Sequence, residues 1–338
     1  LEVPLVTSLL AMRSMRRFAD LTARTGVDFL TPTHSVTVLP DRAAPGVGGD
    51  WFDREVLLGN AADLGVRLDE LDEQALAQAY PELSFEPGHV ALRQQDAYIL
   101  NPRALVRAEL AAAVEAGAVL VRDEVVGRVE DEGVVRLTGA SGATWVADKV
   151  VVATGAATNA TRLLDRTLLT PTFGATVTLV EVAGPEVLAG MPTMMMLKVR
   201  DGALTFGGIV MAPVEYPDGR WYLKVSGNSL LGNPLDTREE IAAWVRTGGR
   251  AEDVAETAEL LAELLPGVEL GPARTRPCLV CATPTERPYI DWADDRTVVV
   301  VEGERGAMSA DEIGRLAARL ALSGRWTDPL PHSVFEAM

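Results

Sequence analysis

The chain has 338 residues, 48% of them hydrophobic and 23% charged, which is enough apolar material for two domains with cores of their own and too much for a disordered segment. A formal net charge of −17, spread along the chain, opposes binding to nucleic acid or to anionic membranes and leaves a small molecule as the expected partner. Even the richest apolar run, Val298 to Val301, stops at Glu302, far short of the roughly 18 residues that a membrane helix needs. Two cysteines make no disulfide framework, and residues 1 to 20 carry no basic segment followed by an apolar core and cleavage site, so a soluble protein of the reducing cytoplasm is expected. Nothing in the composition speaks to oligomeric state.

In chain order, Leu5, Leu9, Met12, Met15 and Phe18 give a helical stripe over residues 1 to 25, closed by Gly26. Because the chain opens on Leu1 within that stripe, it reads as a chain missing its N-terminal part. Val27 to Leu39 reads as short strands broken by Pro32 and Pro40, residues 41 to 50 as a loop, and Phe52 to Leu68 as a helix. Asn101-Pro102 is a helix cap followed by proline at the first helical position, and Leu105, Leu110, Ala113 and Val114 mark an apolar stripe that ends at Gly117. A strand is expected at Val119 to Val121, with further strands at 125 to 129, 134 to 137 and 144 to 147. The continuous run Val150-Val-Val-Ala-Thr-Gly155 reads as a parallel strand buried on both faces and ending in a glycine turn. Alternating segments at 175 to 182, 203 to 210 and 220 to 225 suggest an antiparallel sheet, and 238 to 265 reads as helix. The last unit is a strand at 297 to 301, a turn at Gly303 and Gly306, and a helix from Ala310 to Leu322, with Ser309 and Glu312 as a capping box.

Dinucleotide-binding enzymes place a glycine-rich turn between a first strand and helix, where backbone N–H groups meet the pyrophosphate. Gly46-Val-Gly48-Gly49 follows a loop and has Trp51 where the last glycine belongs, so it is rejected. His34, His89 and His332 are far apart and form neither a triad nor a ligand set, and the Met194 to Met196 run suits packing or an entry path. Cys278 and Cys281, three apart on a strand, point to opposite faces and make a poor metal or redox pair. Alternation puts Tyr222, Lys224 and Ser226 on one face of a strand, where the lysine is either solvated or held for chemistry and the tyrosine either lines a pocket or is core. Gly303, Arg305, Gly306 and Ala307, at the start of the last helix, would supply N–H donors and partial positive charge to a bound group on which negative charge develops.

Four segments, in order and covering almost the whole chain, together resemble the D-amino-acid oxidase and sarcosine oxidase superfamily of FAD-dependent amine oxidases: Asn101 to Val125, Val150 to Ala156, Arg276 to Asp291 and Val298 to Leu322. The resemblance implies FAD, contacted by Val125 at the adenine and by Thr154, Gly155, Gly303, Arg305, Gly306, Ala307 and Met308 near the ring. Cys278 matches the cysteine that joins covalently to the flavin, with a small buried hydrophobe as its bland alternative. Lys224 matches the lysine that promotes reaction with oxygen, with Tyr222 beside it. Met308 stands where sarcosine oxidases carry a lysine for the substrate carboxylate, so an α-amino-acid substrate does not follow. The expected fold is an incomplete α/β, Rossmann-like FAD domain (1–31, 97–168 and 285–338) interleaved with an antiparallel-sheet α+β substrate domain (32–96 and 169–284), with roughly 60 upstream residues holding the missing glycine turn. The expected reaction is oxidation of a C–N bond of a small amine or N-methyl amino acid by hydride transfer to flavin, with oxygen as acceptor. A dehydrogenase using another acceptor and a catalytically silent binding protein of the same fold are the alternatives.

Overall fold

The computed structural model describes residues 3–42, 48–227, 231–303 and 306–338. Gly46 and Arg305 lie outside the described residues. The first helix, α1 (Val3–Thr25), ends as expected at Gly26, whose φ of 67° is left-handed. Strand β1 (Leu30–Pro40) is continuous through Pro32. It can be, because Pro32 faces only Tyr98 of β3 (His89–Leu100), and the second neighbour, β9 (Thr193–Arg200), joins from Ser35 onward. The proline thus sits on a locally single-sided edge, where its missing N–H costs no ladder bond. Helix α2 (Arg54–Leu64) starts on Asp53, whose carboxylate accepts from the N–H groups of Glu55 and Val56, and stops at Gly65. Strand β2 (Asp69–Leu71) and helix α3 (Glu73–Ala79) follow.

Helix α4 (Pro102–Glu115) is capped by Asn101 at 3.1 Å from the Ala104 N–H, but it buries Ala104, Leu105, Ala108 and Ala112. The expected stripe residues Leu110, Ala113 and Val114 are exposed. Val119 to Val121 also departs from expectation: it is exposed and forms no strand, since no neighbour among the described residues pairs with it. Strands β4 (Val125–Asp131), β5 (Val134–Gly139) and β6 (Thr144–Ala147) make a separate antiparallel meander. Strand β7 (Val150–Val152) is parallel to β14 (Thr297–Val301), as its apolar run suggested, although Val151 is exposed rather than buried. Strand β13 (Tyr289–Trp292) completes this second three-stranded sheet, and a short helix, α5 (Thr158–Thr161), follows β7.

The large sheet has eight strands in the order β12-β8-β11-β10-β9-β1-β3-β2, with β8 (Thr172–Val182), β10 (Ala203–Glu215), β11 (Trp221–Ser226) and β12 (Ala273–Cys281). It is mixed rather than purely antiparallel, because β1 and β9 run parallel. One face, carrying Val38, Met194, Met196, Val210, Leu223 and Val225, packs against Leu260, Leu261 and Leu264 of α7 (Glu252–Leu264). The single helix expected over 238 to 265 is two, α6 (Arg238–Trp244) and α7. Between them Gly249 has φ +85°, and a Cβ there would lie 3.0 Å from Thr176 Cγ2.

Residues paired directly across a ladder share a face. The pairs Met195 with Ile209, Ile209 with Ser226, Met211 and Leu179 with Lys224, and Ala175 with Cys278 therefore put all of these side chains on the opposite face, away from α7. The final helix, α8 (Gly306–Ser323), packs Ile313, Leu316 and Leu320 on β13, β14 and α1. It begins before the expected capping box. Ser309 is buried inside the helix with its hydroxyl unpartnered, and Glu312 turns to arginines instead.

Candidate functional site

In open parallel sheets ligands bind outside the carboxyl ends of the strands. Here β7 runs into Ala153-Thr154-Gly155 and β14 into Glu302-Gly303, side by side, with the first turn of α8 following. A cleft of about 680 Å³ opens there, with Val151, Ala153, Cys281, Glu302, Gly306 and Ala307 among its walls. Gly155 (φ +56°) and Gly303 (φ +59°) hold left-handed turns, and a Cβ on Gly306 would lie 2.4 Å from Glu302 Cγ, so the close approach of β14 to α8 requires glycine. Thr154 is tied into its turn by a 3.1 Å hydroxyl contact to Thr158, which donates to the Gly155 carbonyl. The structure thus puts Gly306 and Ala307 in the cleft wall and sets Thr154, Gly155 and Gly303 at the strand ends beside it. Val125 is not in this cleft; it pairs with Gly139 at the start of the meander. Met308 is on the far side of the α8 turn, against a second cavity.

The sheet reaches the cleft through β12, whose Leu279, Val280 and Cys281 line it. The two cysteines point apart, as their spacing required: Cys278 is exposed, while Cys281 is buried with Sγ 3.3 Å from Glu302 Oε1. Lys224 is half-buried on the Cys278 face, two strands away. Burial pushes the Lys224 ammonium below its usual range, a nearby Cys278 thiolate would oppose this, and Arg103 adds to the lowering. Among the described residues no carboxylate pairs with it. Tyr222, on the same strand face, is core: it is 1% exposed and its hydroxyl donates to Asp218 at 2.9 Å. The Arg274 guanidinium lies 4.5 Å over the Tyr222 ring and bonds Asp218 at 2.6 Å. That Arg274 bond, with help from Tyr222 and the Arg220 N–H, holds the Asp218 carboxyl down at about 2. Asp218 was not foreseen; its only signal is an Asp-Gly turn ahead of β11. Among the described residues no cluster could hold a metal ion, and no helix is long and apolar enough to cross a membrane.

Helix α8, which carries the cleft's small residues, is fastened to α1 by charge. Glu312, fully buried, bonds Arg13 (3.1 Å), Arg17 (2.7 Å) and Arg315 (2.7 Å), while Asp328 pairs with Arg13 and Arg315 and Asp311 with Arg17. Burial opposes ionisation of Glu312, but the three arginine hydrogen bonds outweigh it and keep its carboxyl below the ordinary range.

The family profile "DAO: FAD dependent oxidoreductase" matches residues 5–320. The chain belongs to this FAD-dependent oxidoreductase family. Comparison with curated proteins gives no match. Among solved structures the fold is shared with NikD, described as an unusual amino acid oxidase essential for nikkomycin biosynthesis (TM-score 0.74, 20% identity, 97% of this chain and 82% of that one). It is shared too with L-proline dehydrogenase from P. horikoshii (0.72, 16%, 97% and 81%) and glycine oxidase from Geobacillus kaustophilus (0.66, 20%, 96% and 82%). FAD is the cofactor this membership implies, and the cleft fits the ring half of it: two strand ends, small residues and the start of an 18-residue helix converge there. For the pyrophosphate half, the described residues hold no G-x-G-x-x-G turn.

Proposed function

We propose that the chain oxidises a C–N bond of a small amine or N-methyl amino acid, with oxygen as the electron acceptor. The observation that carries this reading is Lys224: an amine without a carboxylate partner among the described residues, half-buried on the sheet face that also presents Cys278, on a strand two away from β12, whose end lines the cleft. Bound FAD would supply the hydride acceptor. The protein's share is to hold the ring against the Thr154–Gly155 and Gly303 turns, to place N–H donors of the α8 start where negative charge develops, and to keep a fixed cation where oxygen is reduced. Nothing in such a reaction asks the protein for a catalytic triad. Cys278, exposed on that same face, is the thiol we assign to covalent attachment of the flavin. The test is anaerobic mixing of the FAD-saturated chain with primary amines, N-methyl amines and 2-hydroxy acids. Bleaching of the flavin's visible absorbance by amines alone supports the reading, and bleaching by the hydroxy acids alone overturns it.

A further inference from the structure

The cleft at the strand ends is walled by small and apolar residues, Val151, Ala153, Val280 and Ile313 among them. Among the described residues Glu302 is the one charged side chain in that wall, and no arginine or lysine lines the cleft to neutralise it. Its carboxylate is placed by close packing. Oε1 and Oε2 lie 3.5 and 3.6 Å from where a Cβ on Gly155 would stand, and a Cβ on Gly306 would collide with Glu302 Cγ. The side chain thus reaches from the end of β14 toward the turn that follows β7, with its stem against the first residue of α8. From the β12 side the buried Cys281 thiol donates to Oε1 at 3.3 Å. A negative charge held half-buried among apolar walls is screened little, so its field reaches across the cleft.

Hydride transfer brings two electrons and a proton to a flavin and leaves it one negative charge richer. In this cleft that charge meets two opposed influences: the start of α8, whose N–H groups favour it, and the Glu302 carboxylate, which repels it. We propose that Glu302 sets the reduction potential of the bound flavin, holding it lower than the α8 start alone would and so making the reduced cofactor a readier electron donor. A cleft of about 680 Å³ keeps a bound charge within about 10 Å of its wall, and over that distance, at an effective dielectric constant of about 20, a unit charge changes an equilibrium roughly tenfold. That the electrons come from an amine and pass to oxygen rests on the function proposed above.

The test is the midpoint potential of the FAD-saturated chain, read from its visible absorbance as it equilibrates, without oxygen, with a two-electron reference dye during slow reduction by dithionite. Saturation is established beforehand by quenching of flavin fluorescence. Glu302→Gln keeps the shape and the acceptor for Cys281 but removes the charge, and it should raise the potential by at least about 30 mV, a tenfold change for a two-electron couple. Glu302→Ala, a second neutral variant, should shift in the same direction, so the outcome does not hang on glutamine alone. Glu302→Asp keeps the charge and should stay within about threefold of the parent, ~14 mV. Equal potentials in the parent and the neutral variants, or an aspartate variant that shifts as far as they do, overturn the proposal, because a residue that only packs responds to shape and not to charge. Absence of quenching by the parent overturns it too, since the cleft then holds no flavin. Because the titration uses neither amine nor oxygen, the two readings separate: a charge-dependent potential without amine-driven bleaching keeps the role of Glu302 and removes the amine, and the reverse removes the role of Glu302 alone.

Discussion

Replacing Glu312 by glutamine takes one negative charge from a cluster in which Arg13, Arg17 and Arg315 are balanced by Glu312, Asp311 and Asp328. The variant keeps the shape but leaves three cations against two anions, around a position whose side chain is 0% exposed. Breaking a buried ion pair by removing one partner costs about 3–5 kcal/mol. The arginines retain 22–36% of their side-chain exposure, so water still reaches them and the lower end, about 3 kcal/mol, applies. Equilibrium urea unfolding, followed by the fluorescence of Trp326 in the α1–α8 core, measures it. The acid limb provides a second reading. Because the folded carboxyl sits below its ordinary value, its contribution is fully present above the unfolded glutamate pKa of about 4.3 and is lost as pH falls through the folded value. Glu312→Gln should therefore be less stable at neutral pH and lose less on acidification than the parent. A cost under about 1 kcal/mol, typical of surface pairs, with an unchanged acid limb would refute the reasoning.

Acid precipitation of the holoenzyme should carry flavin down with the protein; Cys278→Ala should release it and Cys281→Ala should not, and full release from the parent would reduce Cys278 to a packing residue. Gly306→Ala, whose methyl would meet the Glu302 side chain at 2.4–2.6 Å, should weaken FAD binding at least tenfold, read by fluorescence quenching on titration. Unchanged affinity would show that α8 does not approach the ring.

Local signals carried most of the fold. The caps at Asn101 and Gly26, the continuous valines of β14 and the alternation of β11 all correspond to observed elements, because each is decided within a few residues. Where expectation failed, tertiary neighbours decided. Pro32 stayed inside a strand because only one side of it is paired, Val119 to Val121 stayed out of one for want of a partner, and Ser309 lost its capping role to a helix that starts earlier. At the site, the turns and the opposed cysteines were legible from glycine positions and strand period. Glu302 was not: the sequence shows it as the end of a valine run and carries no mark that it turns into the cleft. Nor was the Asp218, Arg274 and Tyr222 contact, which joins the turn before β11 to β12, two strands away in the sheet.

The claim on which the account turns is that the sheet face bearing Lys224 meets the flavin and serves its reoxidation. The direct measurement separates the two half-reactions of Lys224→Met by stopped flow: anaerobic reduction by an amine substrate, and reaction of the reduced protein with oxygen. A cation needed only where charge develops on oxygen predicts that reoxidation slows by at least about a hundredfold while reduction changes by less than about fivefold. Equal slowing of both, or slowing of reduction alone, would contradict it and assign Lys224 to substrate binding or to the fold.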